Sequence, residues 1–412
     1  MRILWLSHFV PYPPKGGCFQ RSYNLITRVG AAHELHLVAM LPKRGTHPAS
    51  ETAEASEVLS RSCASVRIVD LSAATSASGL AKRAASGLLT LSPLTVTIFQ
   101  SDEVRRIVRE ALAGQRFDVV HLDTISLAQY LPEIGATPTV MTHHGAESFM
   151  IRRRIGHERN PLRRAVFFAE WAALERYERR MLRRVGSNVT MSALDRDLLA
   201  KVAPGAAFSV VPNGVDIAYF TPAPRPPGRR VIFAGRLDQY SNRDAILHFM
   251  EAAWPRLRAT HPDAHIDIIG SNPPASLVEL AGRDDHVAVH GFVPDVRPYF
   301  RDAAVAICPI RDGGGTRIKV LDALAQGMPL VTTSIGAEGI DVVADRDVLM
   351  ADTPEQFAAA IGRVFDDPVL AARLGANGRA LVERLYSWDA LAASLVETYQ
   401  QVAGAIRPAS PG

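Results

Sequence analysis

The sequence predicts an α/β fold of two doubly wound domains, each a parallel sheet covered by helices on both faces. Short apolar, β-rich runs alternate with helical patterns from one end of the chain to the other, which implies parallel strands joined by helical crossovers. A length of 412 residues exceeds one ordinary core. Near the middle, the passage Thr221-Pro-Ala-Pro-Arg-Pro-Pro-Gly suits neither a helix nor a central strand and reads as a connection near the domain junction.

The runs that predict strands in the first half are Ile3–Leu6, Leu35–Val38, Val66–Val69, Val119–Leu122, Thr139–Thr142 and Val189–Met191. After the Pro-rich passage they resume as Val231–Ala234, Ile266–Ile269, Val287–Val289, Ala304–Cys308 and Leu330–Thr333. Helical patterns lie between them, as at Asp102–Ala113, Asn242–Ala259 and Pro354–Phe365. Residues Ala73–Ser86, rich in Ala and Ser, read as a mobile loop or a weak helix. The expected domains are 1–205 and 206–386. The last helical segment, 387–404, follows Tyr386-Ser-Trp and is expected to pack back on the first domain. Ligands of such sheets bind outside the carboxyl ends of the strands, so motifs just after strands carry the most weight.

Composition narrows the class. With 47% hydrophobic and 21% charged residues the chain is a packed globular protein, not a disordered one. Cys18, Cys63 and Cys308 are far apart and odd in number. They fit neither metal-ligand spacing nor a disulfide framework, so a reducing cytoplasmic compartment is expected. The apolar run at Met1–Ser7 is too short for a signal peptide. No stretch approaches the ~20 uninterrupted apolar residues of a membrane span.

The net charge of +4 conceals an asymmetry. Eleven arginines against four glutamates between Arg152 and Arg184 give that segment a balance of +7. Phe167, Phe168, Trp171, Leu174 and Met181 recur there at helical spacing beside the arginines. Two readings stand: a surface helix whose stripe packs on the core with its charges solvated, or a peripheral contact with anionic lipid. No reading motif or aromatic–basic interleaving points to nucleic acid.

The strongest motif follows the strand Ala304–Cys308: Pro309-Ile-Arg-Asp-Gly-Gly-Gly-Thr-Arg-Ile-Lys-Val-Leu-Asp322. Gly313, Gly314 and Gly315, with Thr316, end a strand and open a helix, where backbone N–H groups and the helix dipole favour an anion. Arg317 and Lys319 stand in or beside the first turn. Lysine is scarce, five residues against 41 arginines, which sets Lys319 apart from random surface filling. Asp322 falls on the same helix face three residues on.

This stretch resembles the donor-site signature of family-4 glycosyltransferases, which share the two-Rossmann GT-B fold. Val211-Pro-Asn-Gly-Val-Asp216, Phe233-Ala-Gly-Arg-Leu237, His290-Gly-Phe-Val-Pro-Asp-Val, Gly336-Ala-Glu-Gly-Ile-Asp341 and Tyr386-Ser-Trp388 are similar to further family elements in the family's order, over about Thr190–Tyr399. The resemblance implies two Rossmann-like domains facing a cleft. It also implies retaining transfer of a hexose-type sugar from a UDP- or GDP-sugar to a glycan or lipid-linked acceptor in surface polysaccharide or glycoconjugate synthesis. Lys319, helped by Arg317, would take over part of the diphosphate binding, with Arg236 as a further catalytic candidate; Asp322 could accept hydrogen bonds from sugar hydroxyls, and which group holds those of the donor sugar stays open. Cations and backbone dipoles would stabilise the departing phosphate without a metal, since no Asp-x-Asp stands where a divalent cation could bridge phosphates. No cofactor is expected.

The departures are specific. The first of the family's two donor-loop carboxylates falls on Gly314 and is absent. The lysine often found several residues after Arg236 is missing, with Asp238-Gln-Tyr-Ser-Asn242 in its place. The Gly-Gly-Gly-Thr-Arg-x-Lys loop resembles a subset of the family. These departures keep open a second reading, a non-catalytic nucleotide-binding or scaffolding subunit.

In the first half, Gly16 and Gly17 occupy the first strand-to-helix loop and resemble the family's glycine pair on the donor side. The strand Thr139–Thr142 ends in His143-His144-Gly-Ala-Glu147. His144 is the expected catalytic histidine, and His143 and Glu147 are acceptor-side candidates, with a capping or core histidine as the other reading. His121 and Asp123 form a second cluster. The first strand is not followed by Gly-x-Gly-x-x-Gly, which argues against a nicotinamide-dependent oxidoreductase.

Overall fold

The protein is described by a computed structural model covering residues 1–14, 17–42, 49–72, 92–158, 160–224, 228–312 and 316–406. The Ala73–Ser86 segment lies outside the described residues. The chain divides into two compact units: Met1–Pro212 with Leu391–Gly412, and Asn213–Ala390.

The first unit holds a seven-stranded parallel sheet: β1 (Arg2–Ser7), β2 (Glu34–Leu41), β3 (Ser65–Asp70), β4 (Val119–Leu122), β5 (Thr139–Thr142), β6 (Ser187–Thr190) and β7 (Phe208–Val210). Their order is β3-β2-β1-β4-β5-β6-β7, so the winding reverses between β1 and β4. Continuous apolar runs such as Ile3-Leu4-Trp5-Leu6 form central strands because helices cover both faces. Leu4, Leu6, Val120 and Leu122 pack under the helix Asp102–Gly114. That helix aligns Val104, Ile107, Val108, Ala111 and Leu112 on one face and is capped by Ser101, whose Oγ accepts from Val104 N at 3.3 Å. Because β7 pairs with β6, the unit runs on to Pro212 instead of ending at 205.

The helix Trp388–Ile406 completes this unit from Leu391 onward. Leu391, Leu395, Tyr399 and Val402 are buried at helical spacing, and Tyr399 Oη is 2.8 Å from His121 Nδ1. Val402 sits where any side chain at position 186 would be, so glycine is required there.

The second unit holds six parallel strands: β8 (Arg230–Ala234), β9 (His265–Ile269), β10 (Val287–Gly291), β11 (Val305–Cys308), β12 (Leu330–Thr332) and β13 (Leu349–Met350). The order β10-β9-β8-β11-β12-β13 reverses between β8 and β11. Val231 and Phe233 face a core with Phe249, Trp254 and Phe357, while Ile232 faces Val320, Leu321 and Leu324 of the helix Ile318–Ala325. The helical pattern expected at Asn242–Ala259 is interrupted. Tyr240–His248 and Trp254–Thr260 flank a π turn at Phe249–Ala253, just before Pro255, which has no N–H to continue the ladder. Thr353 and Gln356 form a reciprocal capping box on Pro354–Asp366. Among the described residues no helix is long and apolar enough to cross a membrane.

Candidate functional site

In the second unit the expected residues gather at the carboxyl ends of β8 and β11, on either side of the winding reversal. Gly313, Gly314 and Gly315 lie outside the described residues. Beyond them, Thr316 and Arg317 lead into the helix Ile318–Ala325, which carries Lys319 and Asp322. Thr316 Oγ1 is buried with no hydrogen-bond partner among the described residues.

Lys319 Nζ donates to Asn242 Oδ1 at 2.5 Å and lies 4.7 Å from the centre of the Phe233 ring. Asn242 Nδ2 in turn donates to the Arg236 carbonyl at 2.8 Å. One amide thus ties the lysine of the glycine loop to the turn after β8. Gly235 makes this approach feasible, because a Cβ there would collide with the Lys319 ammonium and with Asn242. Burial pushes Lys319 down to about 8, against the attraction of Asp322, and pushes Asp322 up to about 7, against the attraction of Lys319. A partly desolvated ammonium that lacks a full counter-charge binds an anion more strongly than a hydrated one. Arg236 is largely exposed and makes a two-pronged contact with Asp238, 3.2 Å from Nε and 2.6 Å from Nη2. Binding an anion there requires it to exchange or share that partner.

In the first unit the sheet reversal brings together the ends of β1, β4 and β5. His144 Nε2 lies 3.1 Å from both Asp123 Oδ1 and the Asp123 carbonyl oxygen. Both are acceptors, so Nε2 carries the proton, and Nδ1 is left without a partner among the described residues. The other Asp123 oxygen accepts from Ser22 Oγ at 2.6 Å and from Ser7 Oγ at 3.5 Å. Burial alone would raise Asp123, but His144 and the neighbouring His121 and His8 hold it well below the usual carboxylate range. Glu147 opens the helix Glu147–His157, accepts from Thr124 Oγ1 at 3.2 Å, and is raised by burial.

Two expected members stand apart. His143 is not in this cluster: it is buried in the sheet, its Nε2 is 3.1 Å from Asn188 Oδ1 on β6, and burial lowers it to about 4. Its neighbour in sequence reaches the other way, to Asp123 just after β4. His121 is likewise internal, stacked on Trp5 at 3.8 Å and lowered to about 3 by burial. Gly17 begins the helix Gly17–Ala32, while Gly16 lies outside the described residues.

Three participants were not anticipated. His8, just past β1, has its ring 5.6 Å from that of His144 and is lowered to about 4 by burial and then by His144. Its signal was its place at the carboxyl end of the first strand. Arg21 is fully buried and donates to the Val211 carbonyl at 2.7 Å and the Pro212 carbonyl at 2.5 Å, fixing the exit of the unit to the helix Gly17–Ala32. Asn242 carried no signal beyond standing where a lysine is missing.

Comparison with known proteins bears on the family and the fold. Residues 16–219 match the family described as Glycosyltransferase Family 4, and residues 228–367 match Glycosyl transferases group 1. The phosphatidyl-myo-inositol mannosyltransferase of Mycolicibacterium smegmatis is 28% identical over 314 residues, 73% of this chain and 75% of that protein. The glycogen synthase of Mycobacterium tuberculosis is 28% identical over 429 residues, 97% of this chain and 94% of that one. Among solved structures, sucrose-phosphate synthase from Thermosynechococcus elongatus superposes with a TM-score of 0.69 at 17% identity, covering 98% of this chain and 100% of that chain. Anabaena HepE in complex with UDP gives 0.65 at 13% identity, covering 97% and 99%. These structures share the GT-B fold of two Rossmann-like domains.

Proposed function

As a glycosyltransferase of the family-4, group-1 kind, this chain, we propose, moves a hexose-type sugar from a UDP- or GDP-sugar to a glycan or lipid-linked acceptor, with retention at the anomeric carbon and without a metal ion. The observation that carries the reading is the chain of contacts from Lys319 through Asn242 to the Arg236 turn. Cleavage of a sugar–diphosphate bond leaves negative charge on the departing phosphate while the sugar becomes oxocarbenium-like. A desolvated lysine fixed at a helix start meets that charge where it develops. Arg236 and Arg317 add cationic charge.

Asp322, raised toward neutrality by burial, is suited to exchange hydrogen bonds with sugar hydroxyls as acceptor or, when protonated, as donor. In the first unit, His144 is the candidate for a direct sugar contact. Asp123 holds its Nε2 proton, leaving the Nδ1 lone pair to accept from a hydroxyl. The mannosyltransferase and glycogen synthase relatives support a hexosyl donor and acceptors that are lipid-linked or polysaccharide.

The test is a thermal-shift screen over nucleotide sugars, followed by assay of the hits for hydrolysis without acceptor. A ligand at 100 times its Kd should stabilise by about 2.7 kcal/mol. A UDP- or GDP-hexose that stabilises the protein and is slowly hydrolysed supports the reading. Binding without any turnover favours the non-catalytic nucleotide-binding subunit, and no response to any nucleotide sugar overturns the transferase reading in favour of a scaffolding subunit.

A further inference from the structure

The basic segment forms two helices, Glu147–His157 and Pro161–Met181, which pack on each other as a hairpin. Its inner end belongs to the first unit. Leu174, Glu178 and Met181 are buried, and Glu178 accepts from Ser148 N at 3.1 Å. Its outer end stands clear. From Pro161 to Ala169 every residue is exposed except Phe167, which is half-buried. The expected apolar stripe therefore packs on the core only from Leu174 inward.

At the outer end a second stripe faces solvent. Leu162, Ala165, Val166 and Ala169 recur at i, i+3, i+4 and i+7, the spacing of one helix face, with Leu162 79% and Val166 66% exposed. Phe168 and Met150 add further exposed apolar surface, each 57%. The hairpin is stiffened from within. The Arg152 guanidinium lies 5.5 Å from the Trp171 ring and that of Arg154 lies 4.4 Å from Phe167, each pair joining the two helices. Two of the four glutamates face inward: Glu178 as above, and Glu170, which accepts from Leu94 N at 2.9 Å and Thr95 N at 3.0 Å. At the outer end Arg152, Arg153, Arg154, Arg163 and Arg164 are exposed, with the half-buried Glu158 among them.

We propose that this outer end docks on an anionic lipid surface, with Leu162 and Val166 entering the headgroup–acyl boundary and the surrounding arginines meeting lipid phosphates. An exposed apolar stripe within a belt of guanidinium groups is complementary to a bilayer face, which offers anionic headgroups above hydrocarbon. An acidic protein groove would satisfy the arginines but leave the stripe to be matched by a specific apolar pocket. The inference is independent of the transfer reaction.

The experiment is co-sedimentation of the full-length protein with phosphatidylglycerol–phosphatidylcholine vesicles and with phosphatidylcholine vesicles alone. It compares wild type with Leu162→Glu/Val166→Glu and with Arg163→Gln/Arg164→Gln. All four positions are exposed, and near-UV circular dichroism verifies that the variants fold. Wild type should bind only anionic vesicles. The glutamate pair should lower partitioning about tenfold or more, and the glutamine pair should lower it severalfold with a shallower dependence on salt. Failure of the folded wild type to bind anionic vesicles at low salt overturns the proposal. So does unchanged binding by the glutamate pair. A wild-type dimer on gel filtration that the glutamate pair dissolves also overturns it, by assigning the stripe to a second copy of the chain.

Discussion

Lys319 Nζ ends 2.5 Å from Asn242 Oδ1, so the helix after β11 brings a second cation beside the Arg236 turn after β8. If this ammonium meets the departing phosphate, Lys319→Ala should lower turnover at saturating donor by about 100-fold or more. Asn242→Ala, which frees the ammonium without removing it, should cost about tenfold. Wild-type turnover in Lys319→Ala would refute the donor-site assignment.

The pH profile should carry the mark of the same lysine. Burial depresses Lys319 to about 8, so its charge is lost as pH rises through that value, and donor affinity should fall above it. The stability effect has the opposite sign. Between about 8 and the ordinary lysine value of 10.5 the unfolded chain binds more protons, so this group's contribution to stability rises with pH. Donor KM measured from pH 6.5 to 9.5 should climb on the alkaline side. In Lys319→Arg, which stays charged, that limb should disappear whatever the loss in rate.

The two adjacent histidines should separate activity from stability. His144→Gln, which keeps an N–H donor for Asp123, should lower kcat by about 10- to 100-fold with little change in Tm. His143→Ala, which leaves the buried Asn188 Oδ1 short of a partner, should cost about 1–3 kcal/mol of stability and spare kcat. Paired melting and rate measurements decide this, and the reverse pattern would exchange the roles.

Activity should survive excess chelator, because lysine, arginine and helix-dipole contacts would bear the phosphate charge. Assay in EDTA with and without added Mg²⁺ or Mn²⁺ is sufficient. Loss in chelator restored by either ion would require a metal at the phosphates.

Much of the fold is visible in the sequence because buried parallel strands are short unbroken apolar runs, as at Ile3–Leu6 and Val231–Ala234. The elements that escape are those with too few residues to make a pattern. Phe208–Val210 and Leu349–Met350 become strands only because a neighbour offers an edge. The break in the basic segment was legible in principle, since Asn160-Pro161 is a cap followed by a first-turn proline, and Asn160 Oδ1 does accept from Leu162 N and Arg163 N. Spacing placed Lys319 and Asp322 on one helix face. It could not reveal that Lys319 meets Asn242, because that pairing depends on two strands far apart in the chain, β8 and β11, being adjacent in the sheet with Val231 opposite Val305. The parting of His143 and His144 was not legible either, because it depends on Asn188 of β6 on one side and Asp123 after β4 on the other.

The contact between Tyr399 and His121 spans 278 residues. On the ribosome, the first unit emerges early but must wait for the whole of the second to be made before Leu391–Val402 can close over β4. Until then Trp5, His121 and Gly186 lie at an open seam, while the second unit, one uninterrupted stretch of chain, can fold as it emerges. The order of completion is thus the reverse of the order of synthesis, and the nascent first unit keeps that apolar seam open longest.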